Sequence, residues 1–349
     1  MSVDKPVRRK LDLRNGRVDL SHGAGGRAMG RLIEDIFLSA FDNDWLRAGN
    51  DQAAFDVAAG RMVMTTDAYV VSPIFFPGGD IGALAVNGTI NDIAMAGARP
   101  LYLSASFVIE EGLPLADLLR VATSMGEASR AAGVPIVTGD TKVVERGKAD
   151  KVFVSTAGVG VAPRGLVLSG DRVRPGDVAI ISGTIGDHGV AVMSKRENLE
   201  FETAILSDTA ALHGLVAAMT AAAGPGLRAM RDPTRGGLAA TLNELAHQSR
   251  VGFSIEEDAI PVRPEVAAAC EFLGLDPLNV ANEGKLVAIV APEFADALVA
   301  AMRAHPLGAR SSVIGRAVED PHCFVEMRTA FGGGRIVDWL AGEQLPRIC

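Results

Sequence analysis

Cysteine is scarce in this chain of 349 residues: Cys270, Cys323 and Cys349 are an odd number with no Cys-x-x-Cys spacing. That argues against a disulfide framework and a thiolate zinc site, and it fits a reducing compartment. Basic runs are also lacking. Nothing beyond Arg8-Arg9-Lys10 gathers lysine and arginine, and 34 basic against 42 acidic residues leave a formal net charge of −8, which argues against a nucleic-acid surface. No apolar run approaches the roughly 18 residues of a membrane span, and the first ten residues are charged where a signal peptide is apolar. These absences describe a soluble cytoplasmic protein whose partners are small molecules or proteins.

What is present begins with length. At 349 residues and 48% hydrophobic content the chain exceeds the about 250–300 residues at which single cores stop growing, so two domains are expected. The composition breaks at Ala162-Pro163-Arg164-Gly165, and Arg174-Pro175-Gly176-Asp177 opens a new turn and strand. This divides the chain into an N-terminal domain over 1–165, a C-terminal α/β domain over 166–340 and a mobile tail over 341–349. Strands are predicted at 61–71, 134–137, 151–161, 286–290, 312–318, 323–327 and 336–340. Helices are predicted at 81–98, 115–132, 190–196, 210–223 and 238–248, from apolar residues at helical spacing. Two successive mixed halves make an α/β or α+β protein, not a repeat array.

The glycine-rich loop Ser21-His22-Gly23-Ala24-Gly25-Gly26-Arg27 runs into a helical pattern. Such a loop can wrap phosphate with backbone N–H groups at a helix start, or it can be plain flexible chain. It lacks the Gly-Lys-Ser/Thr ending of a Walker A loop. It does match a dinucleotide fingerprint at Gly23, Gly25 and Ala28, but no convincing strand precedes it.

Aspartates recur where elements end or where a helix would rather have another residue. Asp51 follows Gly49-Asn50, Asp67 ends a β-rich run, Asp92 lies within the predicted helix 81–98, and Asp140 sits in the turn Thr138-Gly139-Asp140-Thr141-Lys142 after a strand. They lack the His and Cys company of a transition-metal site, and oxygen-only ligands suit magnesium, which usually arrives with nucleotide phosphates. Asn87 and Asn91 share a helix face on which glutamate or lysine would be the more favourable choice, so that face is read as turned to a ligand. Asp232-Pro233 has the form of an N-cap with proline at the first helical position; capping and ion binding both remain open there. Glu283 stands at the mouth of strand 286–290.

The chain ends on a thiol, in Gly342-Glu343-Gln344-Leu345-Pro346-Arg347-Ile348-Cys349. Pro346 biases Leu345 toward extended backbone, and eight residues at about 3.3 Å each span roughly 25 Å, enough to leave a pocket and return. The terminal carboxylate raises the thiol pKa while Arg347 opposes it, so the sulfur reads as an attachment point, not a standing nucleophile. It is not a prenylation signal, whose cysteine lies four from the end.

The loop at 21–26, Thr65-Thr66-Asp67, Asn91-Asp92-Ile93-Ala94-Met95-x-Gly97-Ala98, Gly139-Asp140-Thr141-Lys142, Gly186-Asp187-His188-Gly189, Asp232-Pro233-Thr234-Arg235-Gly236-Gly237, Asn282-Glu283-Gly284-Lys285 and terminal Pro346-Arg347-Ile348-Cys349 resemble the HypE family of hydrogenase maturation proteins. The likeness runs from about residue 18 to the end. The internal motifs are common to the wider superfamily of aminoimidazole ribonucleotide synthetase and selenophosphate synthetase, and the terminal Pro-Arg-Ile-Cys narrows it. Gln52 departs from the pattern, which has a small or acidic residue after Asp51, and the basic extension before Val18 has no assigned role.

The resemblance implies a two-domain aminoimidazole ribonucleotide synthetase-like fold, a homodimer formed through the N-terminal strands, and ATP with Mg2+ as cofactors. It implies a carbamoyl dehydratase: the carbamoyltransferase HypF loads a carboxamide onto Cys349, ATP-dependent dehydration converts it to a thiocyanate, and the cyano group passes to a HypC and HypD iron-carrier complex for [NiFe] hydrogenase. Carried onto this sequence, it assigns metal or phosphate handling to Asp51, Asp67, Asp92 and Asp232 and nucleotide contacts to Asn91, Asp140, Gly25 and Gly26. Proton abstraction falls to Glu283 with help from Lys142, and Cys349 carries the substrate. Competing readings are another ATP-dependent member of the superfamily acting on a free small molecule, and a nucleotide-gated carrier.

Overall fold

The structure, a computed structural model, describes residues 10–24, 27–48, 52–56, 59–199, 204–340, 345 and 347–349. Gly25, Gly26 and Asp51 lie outside the described residues. Two sheets organise the chain. The first has the order β1-β6-β4-β5, from β1 (Arg61–Tyr69), β4 (Arg99–Glu110), β5 (Ile136–Val144) and β6 (Val152–Ala162), with a separate two-stranded ribbon of β2 (Phe75–Phe76) and β3 (Gly79–Asp80). The second has the order β13-β12-β9-β11-β7-β10-β8, from β7 (Val178–Ile181), β8 (Leu227–Arg231), β9 (Gly252–Glu256), β10 (Val287–Val290), β11 (Ser312–Val318), β12 (Val325–Arg328) and β13 (Gly334–Ile336).

The first sheet is half-covered, and its sequence alternates accordingly. Along β1, Val63, Thr65, Asp67 and Tyr69 point inward while Met62, Met64, Thr66 and Ala68 are exposed. On the covered face lie the helices α4 (Ile81–Met95) and α5 (Leu115–Ala132); the short helices α1 (Arg27–Leu32), α2 (Ser39–Phe41) and α3 (Asp44–Arg47) belong to the N-terminal segment. In α5 the residues Leu118, Val121, Ala122, Met125 and Ser129 form one buried stripe, and Gly133 closes the helix in the left-handed region at φ 67°. The other face of the sheet is open except around Tyr102, where Trp45 and Phe55 pack at ring-centroid distances of 5.1 and 4.1 Å.

The second sheet is covered on both sides, which is why Val178-Ala179-Ile180-Ile181 and Val287-Ala288-Ile289-Val290 are buried throughout. Ala179, Ile181 and Ile289 pack with Leu238, Leu242 and Leu245 of α8 (Gly237–Ser249). Val178, Ile180 and Val290 pack with Leu215 and Met219 of α7 (His213–Ala223) and Leu298 of α10 (Ala295–Arg303). Helices α6 (Asp187–Arg196) and α9 (Pro264–Leu273) form a smaller cluster of their own.

Helix α4 is the hinge of the arrangement. It touches β1, β4 and β6 on one side and α7 and β8 on the other, so thirteen of its fifteen residues are buried. Asp80 caps it, its Oδ1 accepting from the N–H groups of Gly82 and Ala83 at 2.8 and 3.0 Å. Asn87 and Asn91 therefore face protein and not open solvent.

Two local expectations change. Thr138–Lys142 does not turn but continues the strand as part of β5, because Gly139 lies against β4 with no room for a side chain: a Cβ there would stand 2.3 Å from the Ala105 carbonyl. Asp232 does not cap a helix, since α8 begins five residues later with Gly236 as its N-cap.

Candidate active site

The C-terminal arm lies along the first sheet's edge chain. Val70 N donates to a terminal oxygen of Cys349 at 3.0 Å and Ser72 N to the Arg347 carbonyl at 3.2 Å, an antiparallel pairing over residues 70–72 and 347–349. Arg347 is turned away from the sulfur. Its Nε donates to the Val70 carbonyl at 2.9 Å and its Nη1 pairs with Asp150 at 2.7 Å. Ile348 is buried, and its carbonyl meets Nε2 of His188 at 2.9 Å.

This places Cys349 among acids. Burial and then the nearby Glu283 push its thiol up to about 12; Arg235 opposes them, and Asp67 and Asp232 add to the rise. The thiol is thus a poor free nucleophile, as expected, but burial and Glu283 lead the causes and not the terminal carboxylate. The opposing cation is Arg235, however, and not Arg347.

Glu283 is buried, and its Oε1 has no hydrogen-bond partner. Burial, followed by repulsion from Asp232, Asp208, Asp67 and Asp92, holds its carboxyl well above the usual carboxylate range. Asp232 is raised to about 7, by burial and then by Asp92 and Asp67. Asp92 is raised by burial in spite of a 2.8 Å bond from the Thr65 hydroxyl, and Asp67 adds to the rise. Asp67 comes from β1, Asp92 from α4, Asp232 from the loop after β8 and Glu283 from the segment before β10. Four residues spread over more than two hundred positions act on one another across the seam between the sheets.

Asn91 serves this seam. Its Nδ2 donates to the carbonyls of Ala210 and Glu283 at 3.0 and 3.3 Å, and its Oδ1 accepts from Leu212 N at 2.7 Å. Every hydrogen-bonding atom of the amide is engaged within the chain, so the structure gives it a positioning task where sequence reading expected a ligand-facing one. Asn87 likewise donates to the Thr209 hydroxyl. The segment 207–212 that both asparagines hold also carries Asp208, which accepts from Glu283 N at 3.0 Å and from Lys285 Nζ at 2.9 Å. Gly284 permits this approach, since a Cβ there would stand 1.8 Å from the Asp208 carbonyl.

Lys142 and Asp140 lie elsewhere. They pair with each other at 2.9 Å, mostly exposed, and Lys142 is the chief influence holding the Asp140 carboxyl low. The register Asp67↔Thr156, Thr156↔Ala105, Ala105↔Gly139 puts them three strands from Asp67, roughly 14 Å away at about 4.8 Å per strand, and on the open face. Within the protomer the lysine bonded to the loop that holds Glu283 is Lys285, through Asp208, and not Lys142. Sequence reading quoted Lys285 and Arg235 within motifs without giving them tasks. Asp208 it missed, for that loop has no periodicity to mark it.

Among the described residues no group of three or more His, Cys, Asp or Glu is arranged to grip a metal ion. The donor set nevertheless fits magnesium. Asp67, Asp92 and Asp232 offer only oxygen donors and repel one another, with Arg231 only partly opposing this at Asp232, and Mg2+ takes one or two carboxylates beside phosphate and water, not a closed protein cage.

The fold and this acid-lined seam define a class. Residues 49–162 match the AIR synthase related protein, N-terminal domain, and residues 174–328 the corresponding C-terminal domain. Over 345 residues the chain is 76% identical to the carbamoyl dehydratase HypE of Rhizobium leguminosarum bv. viciae, covering 99% of each. It also superposes on a crystal structure of the hydrogenase maturation protein HypE in complex with ATP, with TM-score 0.91, 50% identity and coverage of 95% of this chain and 99% of that one. A HypE–HypF complex matches with TM-score 0.78 and 48% identity, over 88% and 99%. The chain belongs to the carbamoyl dehydratase HypE family.

Proposed function

We propose that this chain dehydrates a carboxamide carried on its own Cys349 to a thiocyanate, with ATP converted to ADP and phosphate, as a source of cyanide ligands for the iron of [NiFe] hydrogenase. The observation that supports this best is the docking of the terminal residues along 70–72 and on His188, which buries the sulfur where Glu283, Asp67 and Asp232 act on it. A terminus without such a task would fray in solvent.

Oxide is a poor leaving group from a carboxamide. ATP supplies the phosphoryl group that turns the oxygen into phosphate; Asp67, Asp92 and Asp232 would hold Mg2+, which would supply charge neutralisation at the phosphates. The chain's own residues do the rest. The carboxamide nitrogen loses two protons in all, its carbon–oxygen bond breaks, and the oxygen departs with phosphate, leaving S–C≡N. Glu283 is the base: its unpartnered Oε1 is free to accept a proton, and a cation on its acidic neighbours would lower its pKa toward the operating range. Asn91 and Asp208 hold its backbone in register, through its carbonyl and its N–H respectively.

The partners follow from the relatives. The solved HypE–HypF complex supports HypF as the loading enzyme, and the HypC and HypD iron-carrier complex is the proposed acceptor. A homodimer through the first sheet is supported by its open face, where Met62 and Met64 are 51% and 72% exposed. Among the described residues no helix is long and apolar enough to cross a membrane.

Intact-protein mass spectrometry tests the proposal. Protein carbamoylated by the partner transferase loses the mass of one water on addition of Mg-ATP, with one ADP formed per loss, and Cys349→Ala does neither. ATP turnover on a soluble amide by Cys349→Ala would point instead to a free small-molecule substrate. A carboxamide that survives Mg-ATP unchanged would point to a carrier.

A further inference from the structure

We infer that helix α6 is the clamp that seats the C-terminal arm, and that His188 is its positioning residue, holding the last peptide so that the Cys349 sulfur faces Glu283. This rests on the reading of Cys349 as substrate carrier. The clamp itself, however, is a matter of geometry.

His188 is wholly buried at the start of α6, behind Gly186, whose φ of 88° opens the helix in the left-handed region. Its Nε2 lies 2.9 Å from the Ile348 carbonyl and its Nδ1 2.8 Å from the Ser207 hydroxyl. A carbonyl oxygen only accepts, so Nε2 carries the proton and Nδ1 accepts from Ser207. Ser207 Oγ in turn accepts from Thr209 N at 3.2 Å, and Ser207 N donates to the Pro77 carbonyl at 2.8 Å. The chain of donors runs one way, from Thr209 through Ser207 and His188 to the arm, and it selects one neutral tautomer. Phe76 meets the ring edge-on at 5.4 Å and 88°, which sets its plane.

Arg196, at the last turn of the same helix, engages the arm one residue earlier. Its Nη2 donates to the Arg347 carbonyl and its Nε to the Ser72 carbonyl, both at 2.8 Å. One helix thus takes two successive carbonyls of the arm, while Val70 and Ser72 supply N–H groups alongside. When the arm leaves, the Nε2–H of a histidine buried in the folded seat loses its protein acceptor, which is unfavourable. The seat therefore favours the arm's return with the sulfur in one orientation. Ser207 ties the clamp to the segment 207–212 that also holds Glu283, so arm and base are registered against the same loop.

The test compares His188→Asn with His188→Gln. The glutamine amide reaches about where Nε2 stands and keeps a donor for Ile348; the asparagine amide falls near Nδ1 and leaves that carbonyl bare. Three quantities are read: the alkylation rate of Cys349 by iodoacetamide, resolved by peptide mass spectrometry with Cys323 as internal reference; the extent of loading by the carbamoyltransferase; and the single-turnover rate of water loss with Mg-ATP. His188→Asn is expected to raise Cys349 alkylation and to slow water loss, each about tenfold, the factor for roughly one hydrogen bond. Loading and Cys323 alkylation stay unchanged, and His188→Gln restores most of both effects. Ser207→Ala, a half-buried position, gives the same directions with smaller size and carries the test should the histidine variants fail to fold. Wild-type alkylation of Cys349 in His188→Asn or Ser207→Ala overturns the clamp, as does a His188→Gln variant as defective as His188→Asn. Alkylation needs no dehydration, so a wild type that loses no water would sink the functional reading while the clamp is still decided.

Discussion

The side-chain amide of Asn91 donates to the backbone carbonyl of Glu283 at 3.3 Å, bridging 192 positions of sequence and the seam between the two sheets. The same amide satisfies Leu212 N and the Ala210 carbonyl, and the residue is 1% exposed. Asn91→Ala strands these backbone groups in a dry site, so a loss of about 2–4 kcal/mol is expected by urea denaturation, with dehydration falling alongside. Unchanged stability would mean that water replaces the amide.

Glu283→Gln keeps shape and removes the proton acceptor. Water loss from the loaded protein should slow by about 10²–10⁴, the usual contribution of a general base, while loading on Cys349 is unaffected. Thermal stability should hold or rise, because the native carboxyl is buried with an unpartnered oxygen, and burial and then its acidic neighbours push its pKa well above the usual carboxylate range.

Asp232 sets a pH dependence that can be measured on metal-free protein. Its carboxyl is raised to about 7 from an ordinary aspartate value of 3.8, so between those limits the folded state binds a proton that the unfolded state has released. Stability from this group is complete below about pH 4 and is lost as pH rises through 7. Asp232→Asn should therefore be more stable than wild type at pH 8, on the order of 1–2 kcal/mol, and close to it at pH 4, while losing dehydratase activity. Equal denaturation midpoints at both pH values would refute this.

The Lys285–Asp208 pair, at 2.9 Å with side chains 13% and 5% exposed, predicts an asymmetric result. Burial pushes the Asp208 carboxyl up, and Lys285 together with His188 and the Glu283 N–H more than offsets it. Lys285→Met alone leaves that carboxylate uncompensated and should cost about 3–5 kcal/mol, whereas Lys285→Met with Asp208→Leu should recover most of it. Additive effects in the denaturation series would show that the pair is not coupled.

Much of the scaffold was legible in the linear chain. Leu115–Ala132 and Ser312–Val318 have the bounds that periodicity assigns them, and β1 and β6 fall within two residues of theirs. Helix starts and ends are local matters of apolar spacing, caps and left-handed glycines, and those signals travel with the segment. The reading failed where a distant neighbour overrides local propensity: Gly139 and Asp140 look like a turn until β4 supplies the strand they pair with. Asp232-Pro233 looks like a helix start until the seam claims the carboxylate.

What the sequence determined by itself is the chemical inventory: oxygen donors without histidine or thiol company, a glutamate beside a strand, and a thiol on the last residue. Only the tertiary structure decided the tasks. It turned Asn91 from the ligand to the backbone of Glu283, placed Lys142 on the open face three strands from Asp67, gave His188 a task that its motif does not state, and recruited Arg196 and Asp208, which no local pattern marks. The reason is physical. Charge repulsion, burial and a hydrogen bond to a chain end are properties of neighbours in space, and the two sheets that supply those neighbours meet only once the chain has folded.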